Sequence, residues 1–257
     1  RRESVGVAIL GAGISGLSSA WTLARAGFTD FRLYELEDDP GGNARSGRND
    51  VSAFPWGAHY VPVPLYRNPA LEKLLAEVGA LAGRNADGEP EWAEEMLCAE
   101  PEERLFFRGL WYEGLYPRAG ASREDRAELS RFEREMLRFA SLRDAKRRRA
   151  FALPRRRSSD DAEWTALDRV SMREWLTRSG YSGARLFWFV EYATRDDFGS
   201  SLDDTSAWAG IHYFASRLRG TSPDGPFEQT APFLTWPEGN GRLAKHLVAA
   251  AGGRIVT

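Results

Sequence analysis

The chain has 257 residues, 42% of them hydrophobic and 28% charged, with a net charge of −2, a balance that excludes the basic excess of a general nucleic-acid binder. A single cysteine, Cys98, excludes an internal disulfide framework, and three scattered histidines, His59, His212 and His246, lack the spacing of a metal centre. No apolar run approaches the roughly 18 residues of a membrane-spanning helix, so a cytoplasmic protein of one large domain or two modest ones is expected, with the Arg1-Arg2 pair leaving export open.

The first predicted element is a short strand, with Val5, Val7 and Ile9 at alternate positions, which runs into a turn containing Gly11, Gly13 and Gly16. This G-x-G-x-x-G pattern between a strand and a helix is the fingerprint of a dinucleotide site. Gly11 permits the tight turn, Gly13 lets a pyrophosphate approach the backbone, and Gly16 lets the helix pack on the strand. Ala12, Ile14 and Ser15 complete the turn, and the helix N-terminus offers free N–H groups and a positive dipole end to the phosphates. Ile14, Leu17, Trp21 and Ala24 recur at helical spacing, and Gly27 is a stop signal. Phe31 to Glu35 then reads as a second strand, ending in a carboxylate 19 positions after Gly16. That spacing suits a group accepting hydrogen bonds from a ribose hydroxyl, and its charge opposes a 2′-phosphate, which favours FAD or NAD over NADP.

Leu36 begins the loop LEDDPGGNARS, in which Gly41 and Gly42 follow the ribose carboxylate by six and seven residues. Here the sequence resembles the flavin-dependent amine oxidase superfamily, which includes amine and polyamine oxidases, L-amino-acid oxidases, protoporphyrinogen oxidases and phytoene desaturase-like enzymes. The resemblance implies FAD, with Gly42, Asn43, Ala44 and Arg45 following the extended cofactor. Two residues depart from the family pattern: Glu37 stands where many members carry Arg, and Asn43 replaces the Arg after the glycine pair, with Arg45 as the nearest substitute charge. The stretch Trp56-Gly57-Ala58-His59-Tyr60 is similar to the family segment that passes the flavin, with Pro55 in place of the usual Asp. The resemblance puts Gly57, Ala58 and His59 beside the isoalloxazine. His59 is open to proton transfer or to packing against the cofactor, and no catalytic residue is assigned.

Prolines near Val61 to Pro64 mark the exit from the nucleotide fold. Leu71, Leu74, Leu75 and Val78 predict a helix started by Asn68-Pro69, followed by a Gly/Asp-rich loop. An acidic stretch from Asp87 to Glu103 and a basic one from Arg143 to Arg157 pair with each other, face an anionic partner or membrane surface, or simply form solvated faces. Leu105 to Tyr116 predicts an aromatic hairpin turning near Arg108-Gly109. Leu129, Phe132, Met136 and Phe139 predict one amphipathic helix. Ser171 is expected to cap a helix in a box with Glu174, Arg185 to Phe198 to form a helix buried on several sides, and Ser201 and Asp204 to cap the helix of Trp208, Ile211, His212 and Ala215. Arg195, Asp196, Asp197, Asp203, Asp204 and His212 are the polar groups that either reach an active-site cavity or form ion pairs.

Gly220 to Pro232 reads as a long Pro/Gly loop, a lid or a connection. Phe233 to Leu243 then returns to the family pattern of strand, Pro-x-Gly and helix, with Pro237, Gly239, Gly241 and Leu243, and Ile255-Val256 begins another strand. The expected fold is therefore α/β, a Rossmann-like FAD-binding domain interrupted by a mostly helical substrate domain with some antiparallel strand. Its expected divisions are 1–64 and 233–257 for the FAD-binding domain and 65–232 for the insert. The resemblance implies an N-terminal portion, with a second chain or a C-terminal half completing the FAD site; in amine-oxidizing members that half supplies a lysine near the flavin. It also implies hydride removal from a C–N bond of a small-molecule amine. A desaturase or isomerase acting on a lipid-like or sugar-nucleotide substrate, and a non-catalytic nucleotide-binding scaffold or partner subunit, are the alternatives.

Overall fold

A computed structural model describes residues 4–64, 68–98, 103–218 and 232–257. The chain divides into two compact units, Arg1–Pro101 with Ala231–Thr257, and Glu102–Thr230. In chain order, the first unit opens with β1 (Val7–Leu10), α1 (Ile14–Arg25), β2 (Phe31–Tyr34), β3 (Ser46–Arg48), β4 (Ala53–Pro55), β5 (Tyr60–Pro62), α2 (Pro69–Glu77), β6 (Leu81–Arg84), β7 (Pro90–Trp92) and β8 (Leu97–Cys98). The second holds β9 (Arg104–Phe107), β10 (Leu110–Glu113), α3 (Arg123–Ser141), α4 (Ala162–Thr165), α5 (Met172–Arg178), α6 (Ala184–Phe198) and α7 (Ala207–Ala215). The chain returns to the first unit with β11 (Phe233–Thr235), α8 (Gly241–Ala251) and β12 (Ile255–Val256).

In the first unit β1, β2 and β12 form a parallel sheet in the order β1-β2-β12, in register from Val7 opposite Phe31 to Leu10 opposite Tyr34. Parallel neighbours require crossovers, and α1 and α8 supply them. Both helices are amphipathic: Leu17, Ala20 and Trp21 of α1 and Leu243, Ala244, Leu247 and Ala251 of α8 are buried in one core with Phe31 and Leu33. Each fully buried Leu or Phe contributes about 1.5–3 kcal/mol of transfer free energy, so this shared core fixes the two helices on one face of the sheet. α2 joins the same core through Leu74 and Leu75, with Asn68 capping its start. The first compact unit therefore takes in α2, whose apolar face closes on this core, and runs on to Pro101. The Gly/Asp-rich stretch expected as a loop instead contains the β6–β7 hairpin.

The second unit is built on α3, whose Leu129, Phe132, Met136 and Phe139 are all buried as their spacing predicts. Edge-to-face ring pairs, Phe132–Phe214 at 5.1 Å and Phe139–Phe151 at 5.5 Å, tie it to its neighbours. Arg131 lies over the Tyr181 ring at 3.8 Å and donates to the carbonyls of Ser179 and Gly180, fastening α3 to the end of α5. The aromatic hairpin turns at Arg108-Gly109 as predicted, with Trp111 opposite Phe106.

Two expectations for this unit are corrected, and a third is narrowed. α7 is capped by Ser206, whose hydroxyl accepts from the Ala209 N–H, whereas Ser201 and Asp204 bond to each other one turn earlier. α6 buries Leu186, Val190, Ala193 and Thr194 but leaves Trp188, Tyr192 and Phe198 exposed, so it has one open face. The basic tract is neutralised locally in part: Arg148 pairs with Asp144 and Asp160, and buried Arg149 donates to the carbonyls of Ala215 and Leu218. The expected loop over 220–232 lies outside the described residues except for Pro232. No helix among the described residues is long and apolar enough to cross a membrane.

Candidate dinucleotide site

The glycine turn follows β1 directly. Gly11 has φ +89°, a left-handed conformation that disfavours a side chain, and its N–H donates to Tyr34 O at 2.7 Å. A Cβ on Gly16 would stand 1.9 Å from Gly11 O, so glycine there is what lets α1 sit against the end of β1. Gly13 differs from both. Its backbone is extended, with φ −71° and ψ 179°, and a Cβ would meet nothing within 4 Å. Neither conformation nor packing requires glycine at position 13, and the space above it is open. α1 also begins without a side-chain cap and without an acidic residue in its first turn. Its leading amides are therefore available to an anion, which is the donor set a pyrophosphate needs. Ile14 and Ser15 are exposed in this first turn, while the Ala12 side chain is buried.

Glu35 stands at the end of β2, where its carboxylate bridges to the turn. One oxygen accepts from the Ala12 N–H at 2.6 Å, and the other accepts from the N–H groups of Leu36 at 2.8 Å and Glu37 at 3.1 Å. These bonds, led by that of Glu37 and then that of Ala12, hold its pKa below the ordinary value, so the group stays ionised. A carboxylate has about four lone-pair positions, and three donors leave room for a ribose hydroxyl. The spacing argument from sequence did not disclose this second role, in which Glu35 holds the glycine turn to β2.

The loop after β2 folds back on the turn. Gly41 N–H donates to Ala12 O at 2.7 Å, and a Cβ on Gly42 would stand 3.2 Å from Gly13 Cα. The same loop is joined to the 56–58 segment: Ala58 N–H donates to Asn43 O at 2.8 Å and Trp56 N–H to Arg45 O at 3.1 Å. A Cβ on Gly57 would stand 2.8 Å from Asn43 O, so this approach also depends on glycine. The return segment closes on it as well, through Asn240 N–H to Ala58 O at 3.1 Å and Thr235 Oγ1 to His59 O at 2.9 Å. Three stretches distant in sequence, the 11–16 turn, the 42–45 loop and the 57–59 segment, are thus brought together within the first unit. Ala12 and Ala44 are the exceptions among them, since their side chains are buried in the core. His59 is exposed, with Nδ1 3.2 Å from Gly57 O.

A cleft of about 740 Å³ lies between the 39–46 loop and the first turns of α8, lined by Asn43, Arg45, Ser46, Trp56 and Lys245 among others. It includes Gly42–Arg45 and Gly57 but not Gly11, Gly13, Gly16 or Glu35. Lys245 was not reached by sequence reasoning: a lysine on the exposed side of an amphipathic helix carries no local signal. The polar groups expected to reach a cavity from the second unit are engaged elsewhere. Arg195 pairs with Glu191, Asp197 with Arg217 and Asp203 with Arg173; Asp204 accepts from Ser201 and His212 bonds Ala152 O. Asp196 acts on Glu103, whose pKa is raised mainly by burial and further by that charge.

An NAD(P)-binding Rossmann-like domain family matches residues 9–78, which contain the turn, Glu35 and the 41–59 stretch. Among characterised proteins, the tryptophan 2-monooxygenase of Pantoea agglomerans pv. gypsophilae is 43% identical over 75 residues, 29% of this chain and 10% of that protein. Among solved structures, putrescine oxidase bound to putrescine aligns with TM-score 0.61 and 19% identity, covering 98% of this chain and 50% of the other. Cyclohexylamine oxidase from Brevibacterium oxydans IH-35A aligns with TM-score 0.58 and 16% identity over 99% and 51%, and a fatty acid isomerase from P. acnes with 0.60 and 17% over 100% and 52%. At these identities the structural likeness is one of fold, and the chain spans about half the length of those neighbours. The comparisons thus show a dinucleotide-binding, Rossmann-like segment over the glycine turn, a local likeness to a tryptophan 2-monooxygenase, and a fold shared over nearly the whole chain with solved amine oxidases and a fatty acid isomerase.

Proposed function

We propose that the protein is an FAD-dependent oxidoreductase that removes a hydride from the C–N bond of an amine-type small molecule. Its cofactor is then reoxidised by oxygen or another acceptor. The observation that carries the cofactor part is the open space above Gly13 at an uncapped helix N-terminus, with ionised Glu35 alongside. The amine part rests on what the relatives act on by name, tryptophan, putrescine and cyclohexylamine. Bound flavin supplies the two-electron chemistry, and the protein supplies orientation and exclusion of water.

In this reading Gly11, Gly13, Ser15 and Gly16 face the pyrophosphate and Glu35 accepts from a ribose hydroxyl. Gly42, Asn43 and Arg45, with Gly57 and Ala58, run beside the flavin half. His59, whose Nδ1 lies 3.2 Å from Gly57 O, stands on the exposed side of the segment. The remaining groups that act on substrate are assigned to polypeptide beyond these residues or to a second chain, and a cytoplasmic location belongs to the same reading.

The test is anaerobic reduction of the FAD-loaded protein by a panel of amines, amino acids and unsaturated fatty acids, followed as bleaching of the flavin colour. Bleaching by amines or amino acids is expected. Turnover of fatty acids without net bleaching supports the isomerase alternative, and failure to take up FAD removes both enzyme readings.

A further inference from the structure

The return segment holds the 57–60 stretch through donors aimed at three consecutive carbonyls. Asn240 N–H donates to Ala58 O at 3.1 Å, Thr235 Oγ1 to His59 O at 2.9 Å and Asn240 Nδ2 to Tyr60 O at 3.1 Å. Ala58 N–H in turn donates to Asn43 O at 2.8 Å, so the stretch is also tied to the 42–45 loop. The approach is close enough to require glycine: Gly239 has φ +57°, and a Cβ there would stand 2.6 Å from Pro55 Cβ and 2.9 Å from His59 Cα. β5 and β11 continue the same junction, with Tyr60 opposite Thr235 and Val61 opposite Leu234.

Neither side chain is explained by its local position. Asn240 is the N-cap of α8, where an asparagine oxygen ordinarily accepts from the first free amides of the helix. Here it makes no capping bond: the amide nitrogen is turned to Tyr60 O, and Oδ1 is buried with no hydrogen-bond partner among the described residues. A buried acceptor without a donor weakens a fold. Capping and stability therefore do not account for asparagine at this position, whereas its bond to Tyr60 O does. Thr235 suits a strand, but valine would serve a strand equally. What threonine adds is the hydroxyl on His59 O.

We propose that Thr235 and Asn240 are positioning residues, whose side chains fix the carbonyls of His59 and Tyr60 and thereby set how the 57–60 stretch lies against the flavin. The inference rests on the reading of that stretch as the flavin side of the site. It gives the two residues no contact with the pyrophosphate or ribose, which fall to the glycine turn and Glu35. Loss of either side-chain bond frees one carbonyl of the stretch beside the flavin ring. The ring's polar surroundings then change, and with them its absorption and reduction potential, while the phosphates stay held.

The experiment compares the full-length parent with Thr235→Val, Thr235→Ser and Asn240→Ala. In the FAD-free proteins, hydrogen exchange at the Ala58 amide is expected to quicken about tenfold in Thr235→Val and Asn240→Ala. Thr235→Ser keeps the hydroxyl and is expected to exchange like the parent. With FAD bound, Thr235→Val and Asn240→Ala are expected to shift the flavin absorption bands and reduction potential, again with Thr235→Ser near the parent. FAD affinity, read from quenching of flavin fluorescence, should stay within about threefold in all three. Circular dichroism checks folding; should Thr235→Val fail to fold, Asn240→Ala decides, because it also removes the buried unpaired oxygen. Unchanged exchange in Thr235→Val and Asn240→Ala overturns the proposal. So does quickened exchange with an unchanged flavin spectrum and potential, which would leave the two side chains a role in packing alone. A loss of FAD affinity of about tenfold also overturns it, by making them part of the binding framework. A parent that binds no FAD fails the flavoprotein reading and the proposal with it, whereas an FAD-bound parent whose variants all match it fails the proposal alone.

Discussion

Gly13 and Gly16 lie in the same turn and are glycine for different physical reasons, which makes them separable by substitution. Gly16→Ala would place a methyl group 1.9 Å from a backbone oxygen that has no room to yield. A loss of about 1–3 kcal/mol is expected in chemical denaturation. Gly13→Asp meets open space, keeps an ordinary backbone conformation and adds a favoured N-cap residue at the positive end of α1. It should fold at least as stably as the parent yet lose about tenfold or more in FAD affinity, because its charge opposes the phosphates. Glu35→Gln is expected to weaken FAD by about tenfold. An amide NH₂ would have to face the N–H of Ala12 or those of Leu36 and Glu37.

Asp144 sets a pH dependence in the second unit. Burial pushes its pKa up, but hydrogen bonds from Ser159 and from the Arg148 backbone and guanidinium outweigh it and lower the pKa from 3.8 to about 2. A depressed carboxylate stabilises the fold above its unfolded pKa and loses that contribution as pH falls through the folded value. The stability difference between the parent protein and Asp144→Asn should therefore be constant above about pH 4 and shrink as pH falls from there to about 2. His212 works in the opposite charge sense: burial lowers its pKa and keeps it neutral, so the second unit should also weaken as pH drops below the usual imidazole value of about 6.5.

At the scale of elements, Glu77 is the junction of α1, α2 and α8. Its carboxylate accepts from Trp21 Nε1 at 2.9 Å and from His246 Nε2 at 2.8 Å and pairs with Arg25. Glu77→Ala leaves the buried Trp21 N–H without its acceptor and should cost about 1–3 kcal/mol in thermal or chemical unfolding, more than His246→Ala, which keeps that bond. Nothing in the sequence marked this junction, because its three partners are 56, 52 and 169 positions away. What was legible at this scale was periodicity with a clear end signal: α3 from its four apolar positions, α2 from Asn68-Pro69, and the hairpin from Arg108-Gly109. Where the pattern was weak, tertiary packing decided. Leu81 to Arg84 holds one large apolar side chain and still forms a strand by pairing with Pro90–Trp92. The run Ser201–Asp204 looks like a cap but bonds internally, leaving Ser206 to start α7.

For the molecule as a whole, the strand, glycine turn and helix of the proposed dinucleotide site were legible because local geometry writes them into adjacent residues. A turn that needs Gly11 and Gly16, a helix start with open space over Gly13 and a strand end whose Glu35 holds the turn lie within 25 positions. The cleft was not legible, since it is made where residues 39–57 meet 241–248 and depends on side chains that look like ordinary surface. The account's central claim is that the open position over Gly13 is kept for the phosphates of FAD. Its most direct test is titration of FAD into the full-length protein and into Gly13→Asp, read as quenching of flavin fluorescence, with the stability of both proteins measured in parallel. The account predicts saturable, stoichiometric binding to the parent and at least about tenfold weaker binding to an equally stable variant. Absence of saturable binding to the parent, or equal affinity in the two proteins, would contradict it.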